Sequence, residues 1–291
     1  MTILSEILKL ISRISPRLNT QLLYHRRYGK WLDLKHPETL SQKVLWLKFN
    51  SYRNNPLVNQ CVDKYAVREY IKRQGCEEIL IDLLGVWTNP DDIDFDKLPD
   101  KFVLKSNYFC HLNIIVTDKS KLDIPATRKT LHEWMHNNDH LIRSEMQYDK
   151  TPRKIIAEKF IETEDGLAPV DYKVDCCNGK PQYVLVCYAR TQKSKPLFYY
   201  FDLDGNLLKD FTLDGMKAPK DFHFKKPEVW NEMLKYAEIL SAPFPYVRVD
   251  FYIEQNKVIF GELTFTPAAG LGSCRLHKAE VAIGAKVALP M

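Results

Sequence analysis

Chemistry is concentrated in the stretch RVDFYIEQNKVIFGELT, Arg248–Thr264. Arg248 and Asp250 stand two apart in a β-branched and aromatic run, so on a strand both side chains leave the same face. Five residues, Glu254 to Val258, carry a hairpin-like turn, and Glu262 and Thr264 share a face of the returning strand. Closing such a hairpin brings one carboxylate from each strand together, beside a guanidinium and a hydroxyl. Paired carboxylates repel unless a cation sits with them, and Mg2+ carrying phosphates is the usual partner. Arg248 then offers a forked contact to a phosphate oxygen. The same residues also fit an exposed hairpin face with a cross-strand salt bridge, common in antiparallel sheets. Taken alone, the hairpin leaves both readings open.

Its neighbours separate them. Lys105 closes the apolar run Phe102–Lys105 (FVLK), and Glu158-Lys159-Phe160-Ile161 closes a second run. A lysine ending a buried strand can balance phosphate charge. Backbone groups at the EKFI segment can meet a purine edge while apolar side chains sandwich the ring. Asp171 and Lys173, in DYK, again share one strand face and aim another cation at the same region. Any of these lysines alone reads as a solvated side chain. Together they describe a nucleotide cleft between two sheets.

The elements that must position these residues follow from periodicity. Residues 39–75 read as helical, with Val44, Leu45, Leu47 and Phe49 in one run and Val62, Tyr65, Ala66 and Tyr70 in the next. Ile79–Trp87 reads as a strand broken by Asn89-Pro90-Asp91, Phe102–Lys105 and Ile114–Thr117 as two more, and Ala126–Asn137 as a helix. Six strand-like segments follow: Lys154–Ile161, Val170–Asp175, Gln182–Tyr188, Pro196–Asp202, Tyr246–Ile253 and Val258–Thr264. Turns are expected at Asn178-Gly179 and Asp204-Gly205, and a helix at Glu228–Leu240 interrupts the series. Strands around one helix make an α+β arrangement on a largely antiparallel sheet.

The chain has 291 residues and a formal charge of +5. Residues 1–30 hold six basic side chains (Lys9, Arg13, Arg17, Arg26, Arg27, Lys30) against one acid, Glu6, which accounts for the whole excess. A leading basic segment on an otherwise neutral chain argues against a duplex-reading protein, whose cations spread over a folded face. Aromatic content of 12% and the lack of low-complexity stretches argue against disorder. No apolar run approaches a membrane span, and no secretory leader is expected. Seven cysteines, an odd and scattered set without zinc spacing, fit buried small hydrophobes in a cytoplasmic protein. Cys110 and His111 are neighbours that would point apart on an extended segment, which argues against a nucleophile and base pair. Leu4, Ile7, Leu8, Ile11 and Ile14 fall at helical spacing, giving an amphipathic helix that ends near Pro16. Such a helix lies on the inner face of an anionic membrane, or packs on its own domain or a second subunit.

The chain resembles the TupA-like group of the ATP-grasp superfamily, found in bacterial surface-polysaccharide gene clusters. The resemblance runs from about Pro37 to Gly272 and rests on six short motifs in order: DKYAVR (Asp63–Arg68), LP with FVLK (Leu98, Pro99, Phe102–Lys105), IAEK (Ile156–Lys159), DYK (Asp171–Lys173), RVDFY (Arg248–Tyr252) and GELTFTP (Gly261–Pro267). It implies an ATP-grasp-like α+β fold, with two subdomains enclosing a nucleotide cleft. The expected organisation is a basic amphipathic segment over 1–30, a mainly helical region over 31–98, a small subdomain over 99–165 and a C-terminal subdomain over 166–291. By the same resemblance Lys105 is the lysine that meets the α- and β-phosphates, and Glu158, Lys159, Phe160 and Ile161 form the adenine-side hinge. Asp250 and Glu262 are the paired Mg2+ ligands, Thr264 stands where many relatives have asparagine, and Arg248 steadies the transferred phosphoryl group. The departure is the segment Ser106–Asn113: relatives fold a glycine- and histidine-bearing loop over the phosphates, whereas this one has no glycine and leaves His111 to make the contact.

The resulting expectation is an ATP-dependent ligase that activates a carboxylate on a sugar or amino acid and joins it to an amine during assembly of a capsule or O-antigen. Arg248 and Lys173 are its catalytic cations, and Lys105, His111, Glu158–Ile161 and Asp171 its nucleotide contacts. Two alternatives stay open on the same residues: a glycosyltransferase using a metal-bridged sugar nucleotide, and a non-catalytic member kept for binding.

Overall fold

The computed structural model describes residues 2–163, 169–188, 195–272 and 274–290. Pro16 divides the opening segment into two helices, α1 (Ile3–Ile14) and α2 (Pro16–Tyr28). Ser15 ends the first and caps the second, accepting from Leu18 N, and proline at the first helical position gives up no hydrogen bond. The single expected helix is thus the first of a pair. Next comes α3 (Leu40–Leu47), opened by a capping box between Thr39 and Gln42. It runs into a π-helical turn at Lys48–Tyr52, followed by α4 (Pro56–Cys61) and α5 (Val67–Arg73).

Two antiparallel sheets carry the rest. The smaller, ordered β1-β4-β2-β3, joins Leu83–Trp87 (β1), Phe102–Ser106 (β2), Asn113–Val116 (β3) and Ile155–Lys159 (β4). Alternation in β2 turns Phe102 and Leu104 into a core with Ala157 and with Leu131 of α6 (Ile124–Met135), leaving Val103 and Lys105 for the opposite face. The strand expected over Ile79–Trp87 begins at Leu83, because Glu77–Ile79 closes a 3-10 turn against the preceding helix.

The larger sheet, ordered β7-β6-β5-β8-β9, joins Asp171–Cys177 (β5), Lys180–Tyr188 (β6), Leu197–Phe201 (β7), Tyr246–Glu254 (β8) and Lys257–Thr264 (β9). Of the six strand-like segments of the second half, the first belongs to the smaller sheet as β4. A short α7 (Leu213–Met216) follows β7, and α8 (Trp230–Ser241) covers one face of the larger sheet. Val174, Val247 and Val249 lie in that core with Met233, Ala237 and Leu240, and Tyr172 meets Trp230 edge to face at 6.4 Å. α9 (His277–Lys286) packs back on α3. Because α8 takes the apolar face, every second residue of β5 and β8 is left for the other, and there the charge is gathered.

Candidate active site on the two sheets

On β5 the residues of that second face are Asp171, Lys173 and Asp175; on β8 they are Tyr246, Arg248 and Asp250. Register sets Lys173 opposite Asp250, Asp250 opposite Glu262, and Arg248 opposite Thr264. The β8–β9 turn is tighter than the five residues expected: Glu254 pairs with Lys257, and Gln255 and Asn256 take φ of 49° and 60°. Continued evenly, that pairing would place Gly261 opposite Asp250 and turn Glu262 away. A register shift between Asp250 and Phe251 makes Gly261 the extra residue and rephases β9, so that both carboxylates share the face. Only glycine fits there without adjustment, since a Cβ on Gly261 would lie 2.9 Å from the Asp250 carbonyl oxygen.

Asp250 is clamped. Arg248 donates from Nε to Oδ1 and from Nη2 to Oδ2, both at 2.7 Å, and Lys173 Nζ donates to Oδ2 at 2.6 Å. Lys173 also lies 3.3 Å from buried Asp171. Burial pushes the Asp250 carboxyl up, but Arg248 and then Lys173 outweigh it and hold the group below the ordinary carboxylate range. Burial disfavours the Arg248 charge too, and the Asp250 carboxylate more than restores it. Arg248 Nη2 donates to Thr264 Oγ1 at 3.3 Å, and that hydroxyl donates to Glu262 Oε1 at 3.2 Å, so the four predicted residues of this hairpin form one connected set.

The smaller sheet supplies a matching pair. Lys105 and Glu158 project from β2 and β4 on the face away from α6, and Lys105 Nζ donates to Glu158 Oε2 at 2.5 Å. Of the hinge residues, Glu158 is therefore an ion-pair partner within β4. Lys159 ends that strand, exposed and 3.7 Å from Glu254, and Phe160 and Ile161 lie half-buried in the chain that leaves it. His111 is exposed at φ 62°, and no hydrogen bond or ion pair ties it to the other candidates among the described residues. The segment without glycine reaches left-handed backbone at Phe109 (φ 61°) as well. Both are strained conformations for side chains of this size. Cys110 sits between them in a bend, not on an extended segment.

Lys64 is tied to the segment that follows β2, and sequence reasoning gave it no role. Asp63 accepts from Tyr65 N at 2.8 Å and Ala66 N at 3.2 Å, and the turn so formed presents Lys64. Its backbone N–H donates to Asn107 O at 2.7 Å, and its Nζ donates to Phe109 O. Burial lowers its pKa; Glu262 opposes that shift and Lys105 adds to it, so the amine lies within electrostatic reach of both sheets. Its position inside DKYAVR was the available signal. Tyr148 and buried Glu145 lie on the same side: Thr266, two residues beyond Thr264, donates to Glu145 at 2.7 Å, and Phe109 meets Tyr148 edge to face.

The oxygen-only set of Asp250, Glu262 and Thr264 suits a hard cation such as Mg2+. Both Asp250 oxygens are engaged by cations, and no ready cluster of three or more His, Cys, Asp or Glu side chains occurs among the described residues. A separate cavity of about 600 Å³, lined in part by Tyr65, Arg68, Asp82 and Lys154, includes none of the predicted site residues.

Two antiparallel sheets, one carrying Lys105 and the other an Arg-Asp-Glu hairpin, are the architecture of an ATP-grasp type of protein. Residues 42–287 match the family described as TupA-like ATPgrasp, and the chain belongs to that family. Among solved structures it is similar to D-alanine–D-alanine ligase from Bacillus anthracis complexed with ATP, at 16% identity and a TM-score of 0.47 over 78% of this chain and 61% of that one. It is similar also to an L-amino acid ligase from Bacillus licheniformis, at 11% identity and a TM-score of 0.46 over 92% of this chain and 56% of that one. A carboxyaminoimidazole ribonucleotide synthase from Aspergillus clavatus complexed with ATP gives 12% identity and 0.43 over 72% and 45%. The chain thus spans between 45% and 61% of these proteins' lengths. No curated protein matches it in sequence.

Proposed function

We propose that this chain is an ATP-dependent ligase that phosphorylates a substrate carboxylate and joins the activated acyl group to an amine. The observation that carries the reading is the connected set Lys173–Asp250–Arg248–Thr264–Glu262 on one sheet and the pair Lys105–Glu158 on the other, with Lys64 within electrostatic reach of Glu262, Lys105 and Glu158. The cations named are paired with carboxylates or a carbonyl, so a polyphosphate binds by exchange: its oxygens take Lys105, Lys64 and Lys173 from their present partners. Asp250 and Glu262, with Thr264 beside them, are then the donors that would hold Mg2+, which when bound neutralises phosphate charge.

In this reading Arg248 steadies the transferred phosphoryl group. A carboxylate oxygen attacks the γ-phosphorus, the bond to the β-phosphate oxygen breaks, and ADP leaves. The amine then attacks the acyl carbon, the carbon–oxygen bond to phosphate breaks, and the amine proton is lost. Such chemistry depends on positioning and charge neutralisation, which is what a dense set of fixed ion pairs provides. The substrate is a carboxylate on a sugar or amino acid, and the setting is assembly of a bacterial capsule or O-antigen in the cytoplasm.

The test is thermal melting with ATP, ADP and sugar nucleotides, each with and without Mg2+. Mg-ATP should raise the melting temperature, and Asp250→Asn or Glu262→Gln should abolish the rise. Stabilisation by a sugar nucleotide alone would replace this reading with glycosyl transfer; silence toward every nucleotide would leave a binding protein.

A further inference from the structure

α1 docks the wrong way round for a helix of a globular domain. Its inward face is polar: Lys9 lies 3.0 Å from Asp139, and the Ser12 hydroxyl meets that of Ser144 at 2.9 Å. α2 continues the pattern, with Asn19 donating to Ile142 O at 3.0 Å and to Ser144 Oγ at 2.9 Å. The outward face is apolar: Ile3 is 84% exposed, Ile7 48%, Leu10 58%, Ile14 77% and Leu18 51%. A soluble helix ordinarily turns such a stripe to the core. Here the core lies on the other side, so the stripe is left for something outside the chain.

We propose that this outward face of α1 and α2 is a docking surface for an anionic phospholipid bilayer. Charge selects that partner. Arg13, Arg17, Arg26, Arg27 and Lys30 are all exposed, and the segment's single acid, Glu6, is paired with Lys9 at 3.1 Å. A second copy of the chain would present the same patch and set like charges against each other. An anionic bilayer accepts the apolar side chains below its headgroups and the long cationic ones among them. Trp31, 60% exposed with its ring 4.5 Å from that of His25, adds an aromatic suited to the interface. No helix among the described residues is long and apolar enough to cross a membrane, so the contact is one of lying on the surface.

The experiment is flotation of the full chain with vesicles of phosphatidylcholine, alone or with about 30% phosphatidylglycerol. Binding should favour the anionic vesicles by about tenfold or more, and should fall when salt rises from about 0.1 M to about 1 M, which shortens the screening length from about 10 Å to about 3 Å. Ile7→Ser with Leu10→Ser, and separately Arg13→Gln with Arg26→Gln, should each weaken binding about tenfold while leaving the melting temperature unchanged, because all four side chains are exposed. Equal binding to both vesicle types, or none to either, overturns the proposal. So does a concentration-dependent doubling of mass that the Ile7 and Leu10 changes abolish, which would assign the face to a second copy.

Discussion

Asp250→Asn separates the structural work of the central carboxylate from the nucleotide binding proposed for it. In the structure Asp250 takes two hydrogen bonds from Arg248 and one from Lys173, deep between β5 and β9. Neutralising it leaves two largely buried cations facing an amide. Removing one partner of a buried ion pair costs about 3–5 kcal/mol. The low end applies, because Lys173 keeps Asp171 at 3.3 Å and Arg248 keeps Thr264 at 3.3 Å. An unfolding entropy of about 2.1 cal/mol/K per residue gives about 0.6 kcal/mol/K for a chain of this length, so a loss of about 3 kcal/mol lowers the melting temperature by about 5 °C. Glu262 is half-buried and accepts one hydroxyl at 3.2 Å, so Glu262→Gln should cost under about 1 kcal/mol and shift melting by less than about 2 °C. Both variants should lose the Mg-ATP response. Acid adds a second reading: a carboxyl held below its ordinary value stabilises the fold above about pH 4, and that contribution is lost as pH falls through the lowered value. Wild type should therefore lose more stability than the asparagine variant across that range. An Asp250→Asn protein that melts within about 1 °C of wild type without nucleotide would refute the clamp.

Three further outcomes are expected. Lys48, buried under α2 and donating to Arg143 O at 2.6 Å, is held down to about 8 by burial against an ordinary 10.5. The unfolded chain holds that proton more tightly, so the penalty is present below about pH 8 and relieved as pH rises toward the unfolded value. Urea melts of wild type should gain up to about 3 kcal/mol relative to Lys48→Met over that window. Lys64→Met should weaken Mg-ATP binding by about 10- to 100-fold in calorimetry, the worth of a charge-assisted contact, with the fold intact by circular dichroism. Gly261→Ala must displace the Asp250 carbonyl from 2.9 Å, and should lower stability by about 1–3 kcal/mol and reduce the Mg-ATP melting shift. An alanine variant with full stability and response would show that the bulge is not needed.

The strands of the site were legible because their alternation is strong: FVLK, DYK and RVD each put apolar residues under a helix and charge on the other face. The pairing of Asp250 with Glu262 was anticipated through a five-residue turn, yet the chain reaches it through a two-residue turn and a bulge at Gly261. Both routes give the same parity, and local propensity does not choose between them. Lys64 was not legible, since it sits in a turn between short helices and its neighbours, Asn107 and Phe109, come from distant parts of the chain. Nor was α9, whose mixed periodicity carries no clear apolar face. For α1 the stripe was plain and its direction was not. Lys9 and Ser12 face inward because Asp139 and Ser144, far along the chain, offer them partners.

Under the proposed exchange, the pairing of the cleft's cations should make the response to ATP depend on Mg2+. Free ATP could draw Lys105, Lys64 and Lys173 onto its phosphates, but Glu158 and Asp250 would then lose partners they hold at 2.5 Å and 2.6 Å. Asp250 keeps its two bonds from Arg248, but Glu158, once Lys105 leaves it, is a buried carboxylate left unpaired, which costs several kcal/mol, about as much as the new contacts return. Asp250 and Glu262 would hold Mg2+, which when bound would stand in for Lys173 at Asp250 and neutralise phosphate charge, so that less of the exchange falls on the Lys105–Glu158 pair. ATP alone should therefore raise the melting temperature little, and Mg-ATP should raise it by about 4 °C at 100 times its dissociation constant, where binding contributes about 2.7 kcal/mol. Glu158→Gln, which frees Lys105 without touching the hairpin, should enlarge the response to ATP alone and narrow the gap between the two. If free ATP stabilises wild type as well as Mg-ATP does, the cations of the cleft are not held back by their partners, and the exchange argument fails.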